Sequence, residues 1–438
     1  MPFKPLAWEG IGIRIPHDWD FTGHRGFWRQ GVVKARSVEG SRVELAWRPA
    51  NTRDDLAKLA ARLQPGVEWR PWAVSAAGTN VVSSQGFTVG HTDERGRRLF
   101  LAQTHHRLVM LTLDRIDVAL AARIVQSLEM TDTPDEPQPW GLLEFSVTSP
   151  AGYELIESSI QAGVCLLRWR KGRRHLLLRR FSSGHAGMGL PLNADLNDPK
   201  ALERFNAWID LVYARESADA KYTRQTITDN AQRLHVTLRS RPRRFAAMEI
   251  TALIPNHRRQ YRWIQIVWDK PACKVYCVES THDDDTADAA VQELIRTMAF
   301  HPCPPTQSLK LPIKQVVKRK IKTHKGERGQ LLVEIEHPRP RALGFLPLLL
   351  GQKPNHAPVI HRAELDPIGT WLWERLGRSS LEQIIQQLQQ TLQLSARETR
   401  MATMTYLHIL AKWRMVDIEV NQTSEPEDQD ATELLSSR

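Results

Sequence analysis

Two cysteines four positions apart, Cys273 and Cys277, are the first place where this sequence offers metal ligands, and His282 and His301 are the nearest histidines. A zinc centre needs four ligands in a tetrahedral array, whereas residues four apart in an extended segment share one face, so the pair reads as buried thiols. His105 and His106 are adjacent in a strand pattern, which sends their rings to opposite faces and prevents joint chelation. The run Ser182-Ser183-Gly184-His185-Ala186-Gly187-Met188-Gly189 is glycine-rich but is opened by no helix signal, and it reads as a flexible loop rather than a phosphate cradle. Arg168-Trp169-Arg170 and Tyr261-Arg262-Trp263 interleave aromatics with cations as base-stacking surfaces do. Strand alternation separates the two types, however, with Trp to the core and Arg to solvent. The sequence has no Gly-x-Ser-x-Gly, P-loop, dinucleotide fingerprint or His-Glu-x-x-His. No catalytic residue, metal ligand set or cofactor is therefore expected, and the chain reads as a binding protein rather than an enzyme.

The elements that would position any site must come from more than one core. A chain of 438 residues at one domain per roughly 150 predicts about three domains, and 41% hydrophobic with 25% charged residues is the balance of ordinary folded protein. Four cysteines are too few to staple a chain of this size, which fits a reducing cytoplasm. The start, with Asp18 and Asp20, lacks a signal-peptide pattern, and the apolar run Leu343 to Leu350 is broken by Gly344 and Pro347 far short of the roughly 20 residues a bilayer requires. Neither export nor a membrane span is expected. The net charge of +11 is spread along the chain, densest at Arg168 to Arg180, Arg239 to Arg244 and Lys310 to Lys325, so nucleic acid is the alternative partner class.

Residues 1–133 and 138–303 read as one unit written twice. Trp8 opens an apolar strand followed by Pro16, Trp19 and Gly31; Trp140 opens another followed by Phe145, Pro150, Tyr153 and Gly163, and the Trp-to-Gly distance is 23 residues in both. Each copy then has a helical stretch, Asp54 to Leu63 and Lys200 to Arg215, a group of strands, and a closing helix, Asp117 to Met130 and Thr286 to Phe300. Strands grouped between helices predict an antiparallel α+β layer. The order of elements and the closing ARIVQSLEM resemble PsbP-like α+β domains, in pattern more than identity. TDTPDEPQP and HPCPPTQS are the linkers.

From 310 to 421 the texture changes. VVKRKIKT and QLLVEIEHP predict a hairpin tipped by Gly326 and Gly329, and APVIHRAEL a third strand. Three helices follow, opened by Asp366-Pro367, by a Ser379 to Glu382 capping box and by a Ser395 to Glu398 capping box, before a last strand, MVDIEV. The acidic stretch 422–438 has little to bury and is expected to be disordered. The segment Glu364-Leu365-Asp366-Pro367-Ile368-Gly369-Thr370-Trp371-Leu372-Trp373-Glu374, with Ser380 to Ile385 and the helix ending at Trp413-Arg414-Met415-Val416, closely resembles PqqD family proteins over about a quarter of the chain. Departures are the long connection Arg339 to Pro354 and Leu376-Gly377-Arg378 in place of Asp-Gly.

The expected fold is thus α+β, two tandem antiparallel α+β repeats followed by a region for which the PqqD resemblance implies a winged-helix-like domain that recognises the leader segment of a ribosomally made peptide and presents it to a modifying enzyme. Strand addition would be the physical mode. The receiving edge would be Val359, Ile360, His361, Arg362 and Ala363, and the groove wall Met404, Leu407 and Leu410 on the third helix, the alternative being that these three face the core.

Overall fold

The computed structural model describes residues 2–37, 39–50, 58–59, 70–72, 87–89, 97–104, 106–161, 163–214, 216, 222–229, 232–240, 261–282, 287–301, 313–319, 321–325, 331–337, 359–394 and 396–420. It is a mixed α+β structure of antiparallel sheets with helices.

β1 (Phe3–Trp8) and β2 (Ile11–Pro16) pair through a two-residue turn in which Glu9 (φ 52) and Gly10 (φ 75) both take the left-handed backbone that suits the twist of a tight hairpin. There follow β3 (Asp20–Gly26), β4 (Gly31–Arg36), β5 (Arg42–Pro49), β6 (Arg70–Trp72), β7 (Phe87–Val89), β8 (Arg98–Gln103) and β9 (Arg107–Asp114), then helix α1 (Val118–Gln126) and β10 (Glu129–Met130). The next stretch repeats the order: β11 (Gln138–Leu142), β12 (Phe145–Ser149), β13 (Glu154–Gln161), β14 (Val164–Lys171) and β15 (Arg174–Phe181). It continues through α2 (Gly184–Met188), α3 (Pro199–Val212), β16 (Tyr222–Asp229), β17 (Arg233–Ser240), β18 (Tyr261–Asp269), β19 (Lys274–His282), α4 (Ala287–Thr297) and β20 (Ala299–Phe300).

Seven strands of each stretch form a sheet, in the orders β3-β4-β5-β9-β8-β7-β6 and β13-β14-β15-β19-β18-β17-β16, which are the same order counted from each first strand. The remaining six make one shared sheet, β10-β2-β1-β11-β12-β20, whose centre is the pairing of Ala7 with Gly141. Gly141 is needed there, because a Cβ would lie 2.7 Å from the Pro5 carbonyl oxygen. Beside it Trp8 and Trp140 meet edge to face with centroids 5.0 Å apart, and a single hydrophobic core runs from Leu6 and Trp47 through to Trp169 and Tyr276.

Several expectations shift. Leu143 (φ 54) holds the turn position of Glu9, so Leu142 corresponds to Trp8 and Trp140 to Leu6; the two tryptophan landmarks are out of step, and their equal distance to a glycine does not mark equivalent residues. The closing helices are shorter than the apolar periodicity suggested, because Glu129–Met130 and Ala299–Phe300 leave the helix to become edges of the shared sheet. Of Asp54 to Leu63 only 58–59 are described, as helix. No helix among the described residues is long and apolar enough to cross a membrane.

The last region contains β21 (Ile313–Lys318), β22 (Thr323–Lys325), β23 (Leu331–His337), β24 (Val359–Leu365), α5 (Pro367–Arg375), α6 (Leu381–Leu392), α7 (Ala396–Lys412) and β25 (Val416–Val420). The segment VVKRKIKT is not one arm of a hairpin: β21 pairs with the closing strand β25, and β23 takes the three-residue β22 instead. Gly326, Gly329 and the connection Arg339 to Pro354 lie outside the described residues, as do 421–438. Asp366 caps α5 by accepting from the Gly369 amide at 2.7 Å, with Pro367 in the first turn. The second capping box is Ser380 with Gln383, one residue later than expected from Ser379 and Glu382.

Candidate functional site

The candidate edge is β24, and its β-branched opening Val359-Ile360 with the Asp366-Pro367 helix start explains why the strand forms here and stops here. It lies at the margin of the sheet β22-β23-β24, and among the described residues its one strand partner is β23, from Leu331 opposite Leu365 to His337 opposite Val359. The phase of its backbone follows from one bond across β23. The Glu334 amide donates to the Lys322 carbonyl at 3.1 Å, towards β22. Hydrogen-bonding direction alternates along a strand, so Val333 and Ile335 bond towards β24, and their partners Ala363 and His361 bond back. The amides of Ile360, Arg362 and Glu364 therefore point away from β23. Of residues 359–363 it is the backbone that is described, while the Glu364 side chain is exposed.

The three helix residues expected to wall the groove divide. Leu407 and Leu410 have no exposed surface and pack with Val333, Leu372, Trp373 and Met415 in the core of this region, while Met404 is partly buried at its margin. Burying Leu407 and Leu410 follows from their three-residue spacing on one face of α7, opposite Leu372 of α5. Of the three, Met404 retains surface that a bound chain could touch.

The region is not tethered loosely to the rest of the protein. Arg180, fully buried on β15, donates from Nη1 to Glu398 Oε1 at 2.6 Å and from Nη2 to Glu398 Oε2 at 3.1 Å, a two-pronged grip on the first turns of α7. Its Nε donates to Glu144, which Lys274 also reaches at 3.1 Å, and the Lys274 ammonium donates to the Gln393 carbonyl at 2.9 Å. Ser182 completes the cluster by donating to Glu398 Oε1 at 2.6 Å. Burial alone would raise the Glu398 carboxyl, but Arg180 and then Lys274 outweigh it and hold the group well below the ordinary carboxylate range. Around the ions, Ala186 and Leu192 pack against Ile368, Leu388 and Leu392. The sequence did carry a signal for Arg180: it is in phase with Leu176 and Leu178 on the inward face of a strand, where an arginine requires a buried partner. Its partner, 218 residues away, carried none.

Other residues singled out by type fall into structural roles. Cys273 sits at φ 47 in the turn before β19 rather than in the strand, and burial pushes its thiol up to about 12, as it does for Cys277. No group of three or more metal-ligating side chains occurs among the described residues, and Cys303 lies outside them. His106 is exposed at the bend between β8 and β9, not in a strand, and His105 lies outside the described residues. The run 182–189 is not a flexible loop: Ser183 caps α2 and Gly189, at φ 62, closes it, which places Ala186 in the interdomain seam. Trp169 and Trp263 are buried in the core, with Arg168 and Arg170 on the opposite face of β14. No family model matches the chain, and no curated protein matches its sequence.

Proposed function

We propose that this chain is a non-catalytic peptide-binding protein in which an extended peptide adds to the outer side of β24. The observation that supports this most is the pairing of β24 on one side only among the described residues, because an unpaired edge offers a ready row of backbone donors and acceptors. Ile360, Arg362 and Glu364 supply the outward amides, and Met404, partly buried at the margin of this region's core, is the candidate for apolar contact. The region is PqqD-like and winged-helix-like in this reading, and its role is to hold a leader peptide for a modifying enzyme. Residues 1–133 and 138–303 are then two copies of one unit, supported by their identical strand orders, and they serve as the platform to which the peptide-binding region is docked through Arg180 and Glu398. The buried thiols of Cys165, Cys273 and Cys277 fit a cytoplasmic setting.

Amide hydrogen exchange tests the reading. With a leader peptide encoded by a neighbouring open reading frame, exchange at Ile360, Arg362 and Glu364 should slow while that at Ala363 and His361 changes little, since those amides already bond to β23. Binding should also persist as salt rises, whereas polyanion binding would fall steeply. Unchanged exchange on β24 in the presence of a bound peptide would refute strand addition.

A further inference from the structure

The second copy's hairpin turn at Leu143-Glu144 is covered by the C-terminal region, whose Glu398 meets Arg180 and whose Gln393 carbonyl meets Lys274. Among the described residues, the corresponding place in the first copy, around the turn at Glu9-Gly10, has no such ion-pair cover. There Arg107 stands at the start of β9 as Lys274 does at the start of β19, and Trp47 on β5 takes the register position of Arg180 on β15. What remains is a cleft of about 450 Å³ lined by Glu9, Phe27, Trp28, Arg29, Gln138 and Glu154, with Leu155 at its floor.

Its unmet groups are acceptors. Glu9 is buried, and its Oε1 has no hydrogen-bond partner among the described residues; nor has Oε1 of the equally buried Gln138, whose amide nitrogen is committed to the Pro134 carbonyl at 3.2 Å. The neighbouring Arg107 gives neither of them a hydrogen bond among the described residues, although its Nε is unpartnered there. Arg107 donates Nη1 to the Glu9 carbonyl and Nη2 to the Trp28 carbonyl, each at 2.6 Å, and its guanidinium lies 3.2 Å over the Trp28 ring. Glu154 adds an exposed carboxylate at the rim, and Phe27 is 55% exposed beside it. Two carboxyl groups, an amide oxygen and aromatic surface around a cleft of this size form the surroundings in which organic cations are held.

We propose that this cleft is a binding site for an alkylammonium or guanidinium group, held by Glu9, Gln138 and Glu154 against Phe27 and Trp28. The cation would neutralise Glu9 and satisfy its Oε1, which has no partner among the described residues, as Glu398 does with opposite sign for Arg180 in the second copy. Occupancy is linked to a proton. Burial pushes the empty Glu9 carboxyl up to about 8, against the lowering effect of Arg107 and with Glu154 adding to the rise; Asp132 and Arg29 are the other charged groups near it. A bound cation favours the carboxylate, so binding releases a proton below that value and strengthens as pH rises towards it.

Calorimetric titration of the full chain with butylammonium chloride and with methylguanidinium chloride at pH 6.5, 7.5 and 8.5 tests this. The expected result is one saturable site whose affinity rises up to about tenfold from pH 6.5 to 7.5 and flattens beyond 8, with heats that depend on the buffer's ionisation enthalpy. Glu9→Gln, which keeps shape and mimics the protonated acid, should abolish the pH dependence and weaken binding about tenfold at pH 8.5. Glu154→Gln, at the exposed rim, should weaken it about threefold without threat to the fold. A lysine-containing tripeptide capped at both ends separates the sources: tighter binding than butylammonium assigns the cation to a polypeptide side chain, weaker binding to a free amine. A pH-independent affinity, wild-type binding by Glu9→Gln, or saturable acetate binding that is lost in Arg29→Gln would overturn the proposal.

Discussion

Glu398→Ala should release the C-terminal region from residues 138–301 at a cost that can be worked from the contacts. The substitution removes the acceptor of two Arg180 N–H groups and of the Ser182 hydroxyl, all in a buried cluster, and leaves Arg180 with Glu144 as its one carboxylate partner there and the Ser182 hydroxyl as a neutral acceptor at 2.9 Å. Breaking a buried ion pair by removing one partner costs roughly 3–5 kcal/mol, because the other charge stays desolvated; the remaining bond to Glu144 argues for the lower end, about 3 kcal/mol. For a region of this size that is a loss of roughly 10 °C in its thermal transition. Scanning calorimetry of the full chain, with limited trypsin digestion to report exposure of the seam, is the assay. The sign with pH is also set. A carboxyl held below its ordinary value of 4.5 contributes stability above that value and loses it as pH falls, so wild type and Glu398→Ala should converge in acid. Arg180→Met combined with Glu398→Leu should regain most of the loss, since an apolar replacement carries no stranded charge. A shift under about 0.5 kcal/mol for Glu398→Ala, or one that is the same at pH 3.5 and 7, would refute the docking argument.

Two further substitutions test the energetics elsewhere. Glu9→Gln should stabilise the protein increasingly as pH rises: the folded carboxyl titrates near 8 against 4.5 when unfolded, so the acid withdraws stability through that window, up to about 3 kcal/mol at pH 7, and urea midpoints with a pH-independent difference would contradict this. Trp373, buried on α5 beneath the Lys318 ammonium, which lies 4.0 Å from its ring centre, should cost roughly 3–5 kcal/mol when cut to Ala; half-buried Trp371, on the side facing α6 and α2, should cost less, and equal losses in chemical denaturation would show that the helix is wrongly phased.

Local features of this fold were legible in the sequence and long-range ones were not. Asp366-Pro367 announced a helix start because the cap and the missing amide act within one turn, and Trp169 was assigned to the core because alternation in a strand is local. The sharing of one sheet by β1 and β11 could not be read, since it depends on Ala7 meeting Gly141 and nothing near either residue encodes the other. For the same reason β21 was given to a hairpin although its partner is β25, some hundred residues away. The cluster around Arg180 was not read: Arg180 counted only within a basic stretch and Glu398 only within a capping box, and nothing local to either encodes the other. Val359 to Ala363 were legible as strand and lie in β24; which of its amides face outward required the Glu334 to Lys322 bond.

Strand addition on β24 is tested most directly by placing proline at successive positions and measuring affinity for the leader peptide. Proline removes one backbone donor, and edge strands tolerate it where that donor faces outward. Ile360→Pro and Arg362→Pro should each abolish or strongly weaken binding while circular dichroism and melting stay close to wild type. His361→Pro removes an amide that bonds to β23, so its effect should be on stability instead. Full affinity in folded Ile360→Pro and Arg362→Pro would contradict the account, because the peptide would then not be using the backbone of this edge.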